Sequence, residues 1–147
     1  MSRRRKATAW RTGHTHITAV AGPPCGGKTT YVQEHAAPDD LVIDFDHIAQ
    51  RLGSTSTHDH TPEAITAAKA EWIRQVRDLE QGNTTQDRAW IVSASSKAET
   101  RIPHHELVMC DPGQPEAQRR ATQAGRPDEW PELITQWYAD RQQQKQW

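Results

Sequence analysis

Eight consecutive residues, Gly22-Pro23-Pro24-Cys25-Gly26-Gly27-Lys28-Thr29, constrain this chain more than any other feature. They fit the pattern G-x-x-x-x-G-K-[ST], which works only between a strand and a helix. Both flanks are legible. Residues 16–21 (HITAVA) are β-branched and apolar and run into glycine and proline, as a buried strand does. Residues 28–37 (KTTYVQEHAA) read as a helix that stops before Pro38. In that setting the amides from Gly26 to Thr29 open a helix N-terminus, where unpaired donors and the helix dipole favour an anion. Gly26 and Gly27 let the backbone curl around a phosphate without side-chain collision. Gly22, Cys25 and Thr30 complete the expected cradle. Lys28 supplies a point charge to β- and γ-phosphates, and Thr29 offers a hydroxyl to Mg²⁺. Pro23 and Pro24 lack amide hydrogens but precede the donors. The expected ligand is ATP or another nucleoside triphosphate, with magnesium.

The rest of the chain bounds what can surround this loop. With 147 residues and 34% hydrophobic content there is material for one domain and one economical core. The formal net charge of -1 gives no bulk attraction to nucleic acid or membrane. Arg3, Arg4, Arg5 and Lys6 concentrate positive charge at the start, and residues 1–14 are expected to form a basic, mobile tail. No apolar run approaches the ~20 residues of a membrane helix, and no apolar segment follows the basic start as in a secretory leader. Cys25 and Cys110 are too few for a disulfide framework, and one of them lies in the phosphate loop. A reducing cytoplasm is therefore expected.

Beyond the first helix, residues 41–43 (LVI) form a short strand ending in Asp44-Phe45-Asp46, followed by a short helix over 47–52. Pro62 sits at a first helical position. From 63 to 80, Ile65, Ala68, Trp72, Val76 and Leu79 recur at three- and four-residue steps, an amphipathic helix. Residues 89–94 and 106–110 read as strands, 115–124 and 128–143 as helices. Strands alternating with helices predict one α/β domain over 15–147: a mainly parallel four-stranded sheet with helices on both faces. The expected strand order places the second strand at one edge, then the third, the first and the fourth. Ligands bind such sheets beyond the carboxyl ends of the strands. The loop, Asp44 and Asp46, and Ser93, Ser95 and Ser96 all fall there.

Asp44 and Asp46 share a face if the extended geometry persists through them. One carboxylate could then accept a proton from an acceptor hydroxyl while the other, Asp44, orients magnesium-bound water. The structural alternative is that Asp46 caps a helix beginning at His47.

These elements resemble the small P-loop kinases, in particular the 5′-hydroxyl polynucleotide kinase branch, and equally the small phage-encoded P-loop ATPases and kinases. The resemblance covers residues 16–52. Val42-Ile43-Asp44-Phe45-Asp46-His47-Ile48 is similar to the branch's strand that ends in an acidic residue, and implies that Asp46 is the general base. Where the branch shows Asn-Arg-Asp-Asp, this chain has Asp-Phe-Asp-His, so the signature arginine is absent. The resemblance further implies a lid around 113–127. Arg119 and Arg126 would clamp the transferring phosphoryl there and Arg120 would hold the nucleotide, stabilising charge on the equatorial oxygens. A solvated helix face is the plain alternative for these arginines.

Weaker signals point to structure. None of the eight histidines has the spacing of a closed zinc site. Trp72, Trp130 and Trp137 fall on apolar helical stripes and are expected in packing. Arg74 and Arg77 lie where such kinases often take their acceptor, but they read as a solvated face. Ser93, Ser95 and Ser96 could meet a γ-phosphate or merely end a strand.

Together these readings predict transfer of the γ-phosphate of ATP to a nucleic-acid 5′-hydroxyl or a nucleotide acceptor. Lys28, Asp46, Arg119 and Arg126 would be catalytic. Thr29 and Asp44 would serve the metal. A nucleoside monophosphate kinase is one alternative. A non-kinase ATPase or nucleotide-binding accessory protein, acting through a protein partner, is the other. The expected location is cytoplasmic, that of the host for a phage-encoded chain.

Overall fold

The computed structural model describes residues 2–6, 14–53, 60–125 and 129–144. In chain order the elements are β1 (Ser2–Lys6), β2 (His16–Ala21), α1 (Lys28–His35), β3 (Leu41–Ile43), α2 (Phe45–Arg51), α3 (Pro62–Glu80), β4 (Arg88–Ser93), α4 (Ala98–Arg101), β5 (Glu106–Cys110), α5 (Gln114–Gln123) and α6 (Glu129–Gln144). The four expected strands are parallel and take the expected order, β3-β4-β2-β5.

One expectation is corrected. Residues 2–6 were expected in a tail outside the domain, yet they form an antiparallel edge strand on β5, with Ser2 opposite Cys110 and Lys6 opposite Glu106. The sheet therefore has five strands. Pairing with β5 supplies ladder hydrogen bonds to backbone that a tail would leave to water.

β2 lies between β4 and β5 and is buried on both faces, which explains its unbroken apolar run. Ile17, Ala19 and Ala21 face one way, into a cluster with Ile43, Ile48, Ala68, Leu79 and Ile91 that brings α2, α3 and α4 onto that face. Val20 faces the other way and joins Val32, Trp90, Val92 and Val108, which seats α1. This division follows from the two-residue period of a strand. On α3 the predicted stripe is buried at Ala68, Val76 and Leu79, whereas Ile65 remains 43% exposed.

A third cluster lies apart from the sheet. Ala117 and Ala121 of α5 pack on Ile134 of α6, with Trp130, Tyr138 and Cys25 partly buried against them. Gln118 Nε2 donates to Pro131 O at 3.0 Å and to Thr135 Oγ1 at 3.2 Å, which fastens the two helices together. Arg141 anchors α6 to α4, donating to Glu99 Oε1 at 2.7 Å while lying over the Trp137 ring. The segment expected as a lid, 113–127, thus carries α5, which packs on α6 and on Cys25 of the phosphate loop.

The described histidines near β2 serve the sheet. Ile17 N donates to His105 Nδ1 at 2.9 Å, so that nitrogen carries no proton. Burial, then the neighbouring His16 and His104, push the His105 pKa down. His104 is buried and bonds Ile102 O through Nδ1 at 2.6 Å.

Candidate functional site

In-register pairing brings the carboxyl ends of the parallel strands to one edge. Ala21 lies opposite both Ser93 and Met109, and Ile43 pairs with Ile91. The segments that leave those ends therefore converge: the loop after β2, Asp44 after β3, Ala94 after β4 and Asp111 after β5.

The loop is held by backbone geometry. Gly26 N donates to Pro23 O at 3.0 Å, so Pro23 serves as an acceptor at its turn. Gly27 caps α1 with φ 91, a left-handed conformation that glycine adopts freely. Cys25 takes the same region at φ 63, an uncommon position for a residue with a side chain. Gly22 and Gly26 are required for a different reason. The Cys110 carbonyl passes so close that a Cβ at Gly26 would lie 2.8 Å from its oxygen, and one at Gly22 closer still.

Lys28 folds back over the loop. Its Nζ donates to Gly22 O at 3.0 Å and Pro23 O at 2.8 Å. The side chain as a whole is only partly covered, yet its ammonium is drawn out of water. That desolvation pulls the pKa from 10.5 down to about 8, against the raising fields of Cys110, Asp44, Cys25 and Asp46. A charge held at that cost is poised for an anion.

The two carboxylates after β3 separate into different roles. Extended geometry ends at Asp44, whose φ of -129 and ψ of 122 make it the N-cap of α2. Its Oδ1 accepts from Asp46 N at 3.0 Å, and its Oδ2 accepts from Thr29 Oγ1 at 3.2 Å. The cap is thus Asp44 and not Asp46, and the helix starts at Phe45 rather than at His47. Asp44 is only 4% exposed. A buried carboxylate beside a threonine hydroxyl is a hard-oxygen pair suited to a magnesium ion that keeps most of its remaining ligands as phosphate and water. These two residues fit that ion.

Asp46 occupies the first turn of α2, where an acid is favoured by the dipole. Its side chain is 34% exposed, and its Oδ1 lies 2.8 Å from Nε2 of His60, whose side chain is 3% exposed. An ionised carboxylate can only accept, so the shared proton sits on Nε2. His60 is the site residue that sequence reasoning missed. Its polar surroundings in the chain gave no hint; only its place directly before Thr61, the N-cap of α3, tied it to a fixed element.

The arginines divide as well. Arg120 reaches the loop: Nη1 donates to Cys25 O at 3.3 Å and Nε donates to Glu116 Oε1 at 3.2 Å. Arg119, expected to clamp the phosphoryl group, is instead 54% exposed and bonded to Glu116 at 2.7 Å through Nε. The two bonds from Arg119, then that from Arg120, hold the Glu116 carboxyl well below the usual range. Arg126 lies outside the described residues. Ser93 lines the site, whereas Ser95 caps the turn at Lys97 N and Ser96 meets Asp140. Arg74 is held on the exposed face of α3 by Glu71 and Asp78.

Two cavities straddle the loop and share Gly26, Gly27, Thr30 and Arg120. The smaller, about 530 Å³, lies between α1 and the β5–α5 turn, with Tyr31, Glu34, Asp111 and Pro112 on its walls. The larger, about 840 Å³, holds Lys28, Thr29, Asp44 and Asp46 together with Phe45, Trp72, Trp130 and Leu133. The arrangement can take an elongated polyanion across the loop, with a carboxylate and an apolar chamber at one end.

The parallel sheet and the strand–loop–helix turn at Gly22–Thr29 define a small α/β domain of the P-loop type. Comparison with known proteins goes no further: no family model matches the chain, and no curated protein does either. No described helix is long and apolar enough to cross a membrane.

Proposed function

We propose that this protein is an ATP-dependent phosphotransferase that moves the γ-phosphate to a hydroxyl, on a nucleic-acid 5′ end or a nucleotide acceptor. The observation that supports it best is that Lys28 of the phosphate loop and Asp46 line one chamber. A partly exposed carboxylate facing the phosphate end can take the proton of an incoming hydroxyl.

In this reading the triphosphate lies along the loop, with its nucleoside end in the smaller cavity against Tyr31 and Pro112. The amides from Gly26 to Thr29 and the Lys28 ammonium hold the β- and γ-phosphates. Phosphate binding gives the Lys28 charge a partner in place of two backbone carbonyls. Thr29 and Asp44 would hold magnesium, which supplies charge neutralisation at the phosphate oxygens when bound. Asp46 accepts the proton of the acceptor hydroxyl as its oxygen bonds to the γ-phosphorus and the bond to the leaving ADP oxygen breaks. His60 keeps the Asp46 carboxylate oriented toward the chamber. Arg120 stands closest to the loop among the described arginines of α5 and takes the charge-stabilising role. Catalysis of this kind is chiefly positioning and electrostatics.

A non-kinase ATPase is the second reading, favoured by the missing signature arginine and by Arg119 being tied to Glu116. Incubation with γ-labelled ATP separates the two. Label should appear on a 5′-hydroxyl oligonucleotide or a nucleotide acceptor. Release of free phosphate at the same rate with and without any acceptor, and no labelled product, would leave only the ATPase.

A further inference from the structure

We propose that Glu34 makes the smaller cavity a ribose site. Its carboxylate accepts from the neighbouring hydroxyls of the bound sugar, so the protein takes ribonucleoside triphosphates in preference to their 2′-deoxy forms. The inference deepens the nucleotide reading of that cavity and rests on it.

Position along α1 is the first argument. The cavity is lined on this side by Gly27, Thr30, Tyr31 and Glu34. Their spacing of three, one and three residues places them on a single stripe of the helix. The stripe runs outward from the phosphate loop. Glu34 lies seven residues past Gly27, a rise of about 10 Å. Helical side chains lean toward the N-terminus of their helix, which brings a carboxylate at this position back over the turn of Thr30 and Tyr31. A β-phosphate on the loop amides is followed by one more phosphate and a methylene before the sugar begins. The sugar is therefore the part that comes level with Glu34, and the base lies one ring farther on. Tyr31, stacked on His35 with ring centroids 4.0 Å apart, gives the stripe a fixed wall beside it. Screening by salt limits repulsion between the carboxylate and phosphates held at the loop.

Hydrogen-bonding capacity is the second. The described carboxylates of the cavity are Glu34, Asp111 and Glu116. Asp111 Oδ1 accepts from the Tyr138 hydroxyl at 2.6 Å and from Gly113 N at 2.9 Å. Glu116 is paired with Arg119 and Arg120. Glu34 is exposed to the cavity, and no described residue donates to it. An ionised carboxylate only accepts, through two oxygens side by side. The matching ligand group is a pair of neighbouring donors, and a ribose carries one in its 2′- and 3′-hydroxyls. An acidic residue takes the ribose 2′-hydroxyl in the same way in dinucleotide-binding folds. A 2′-deoxyribose offers one donor and leaves the second oxygen to water.

Calorimetric titration of the full chain with magnesium complexes of the β,γ-imido analogues of ATP and 2′-deoxy-ATP tests this without turnover. The ribose form should bind about five- to tenfold tighter, the worth of one hydrogen bond to a charged acceptor at an open site. Glu34→Ala, at an exposed helical position where alanine is favoured, should weaken the ribose form by the same factor and leave the deoxy form nearly unchanged. The preference should then vanish. A residue that merely supported the helix would weaken both forms alike. Glu34→Gln keeps one accepting oxygen and should retain part of the preference. Equal affinities in the parent, an equal loss of both forms in Glu34→Ala, or a preference that survives Glu34→Ala would each overturn the proposal. Binding of neither form would overturn it together with the nucleotide reading of the loop. Sugar discrimination without transfer of label from ATP to any acceptor would sink the phosphotransferase reading and leave the role of Glu34 standing. Label transfer with equal affinity for both forms would do the reverse.

Discussion

Asp46 and His60 meet at 2.8 Å across fourteen positions of chain, with the imidazole buried and the carboxylate open to the chamber. The contact joins the first turn of α2 to the segment that enters α3. It helps to fix the orientation of a partly exposed carboxylate that lines the chamber with Lys28.

Replacing Asp46 with Asn should lower transfer by about 10²- to 10⁴-fold, the usual contribution of a general base, with ATP affinity preserved. His60→Ala should lower kcat about tenfold or more, because it frees the carboxylate to rotate without removing it. The KM for ATP should stay within twofold in His60→Ala. A kcat equal to that of the parent in steady-state assays would reduce His60 to a packing residue.

The two arginines one position apart should behave differently. Arg120→Ala should weaken ATP binding or turnover about tenfold or more, since it removes the cation beside Cys25 O. Arg119→Ala should leave both nearly unchanged, because an exposed ion pair contributes little. Equal losses in the two variants would reverse the assignment. Paired kinetic measurements on the same preparation decide it.

Lys28 makes stability and function pull in opposite directions. Its pKa is about 8 in the fold and 10.5 when exposed. Between those values the unfolded chain binds the proton and the native state does not, so stability rises as pH increases from 8 to 10.5. Below pH 8 the full cost of the desolvated charge is present, at most about 3 kcal/mol. The two carbonyl hydrogen bonds of Lys28 offset part of it. Lys28→Met should therefore raise the ligand-free Tm at pH 7 by a few degrees, equivalent to about 1 kcal/mol, and abolish ATP binding. The gain should vanish above pH 10. ATP binding at pH 8.5 should take up a proton, detectable as a dependence of the calorimetric enthalpy on buffer ionisation. A Tm lower than the parent's at pH 7 would contradict the desolvation argument.

Gly22→Ala tests the packing of β5 beneath the loop. The new methyl would strike the Cys110 carbonyl, a backbone group that cannot swing aside. Overpacking of this kind costs about 1–3 kcal/mol and should displace the loop, lowering ATP affinity as well. Denaturant midpoints and nucleotide titrations report both. Gly125→Ala is a useful contrast, since no atom of the described residues lies near its would-be Cβ, while its positive φ is strained.

The sequence alone determined the strand–loop–helix turn, the four parallel strands and their order, and the edge of the sheet where the site lies. Those features rest on local rules: apolar alternation, glycine placement, and right-handed crossovers that leave few topologies open. Tertiary structure alone decided the rest. Arg120 and not Arg119 reaches the loop because adjacent residues on a helix point about 100° apart, and the docking of α5 on α6 selects the face. Asp44 rather than Asp46 takes the cap and the Thr29 hydroxyl because the helix starts at Phe45, two residues earlier than its pattern implies. His60 joins the site, and Ser2–Lys6 joins the sheet, through partners far away in sequence, and no local periodicity records such pairings. The phosphate loop was visible from the first because its chemistry is written in consecutive residues. What faces it was not, because the described lining of that chamber comes from six separate segments of the chain.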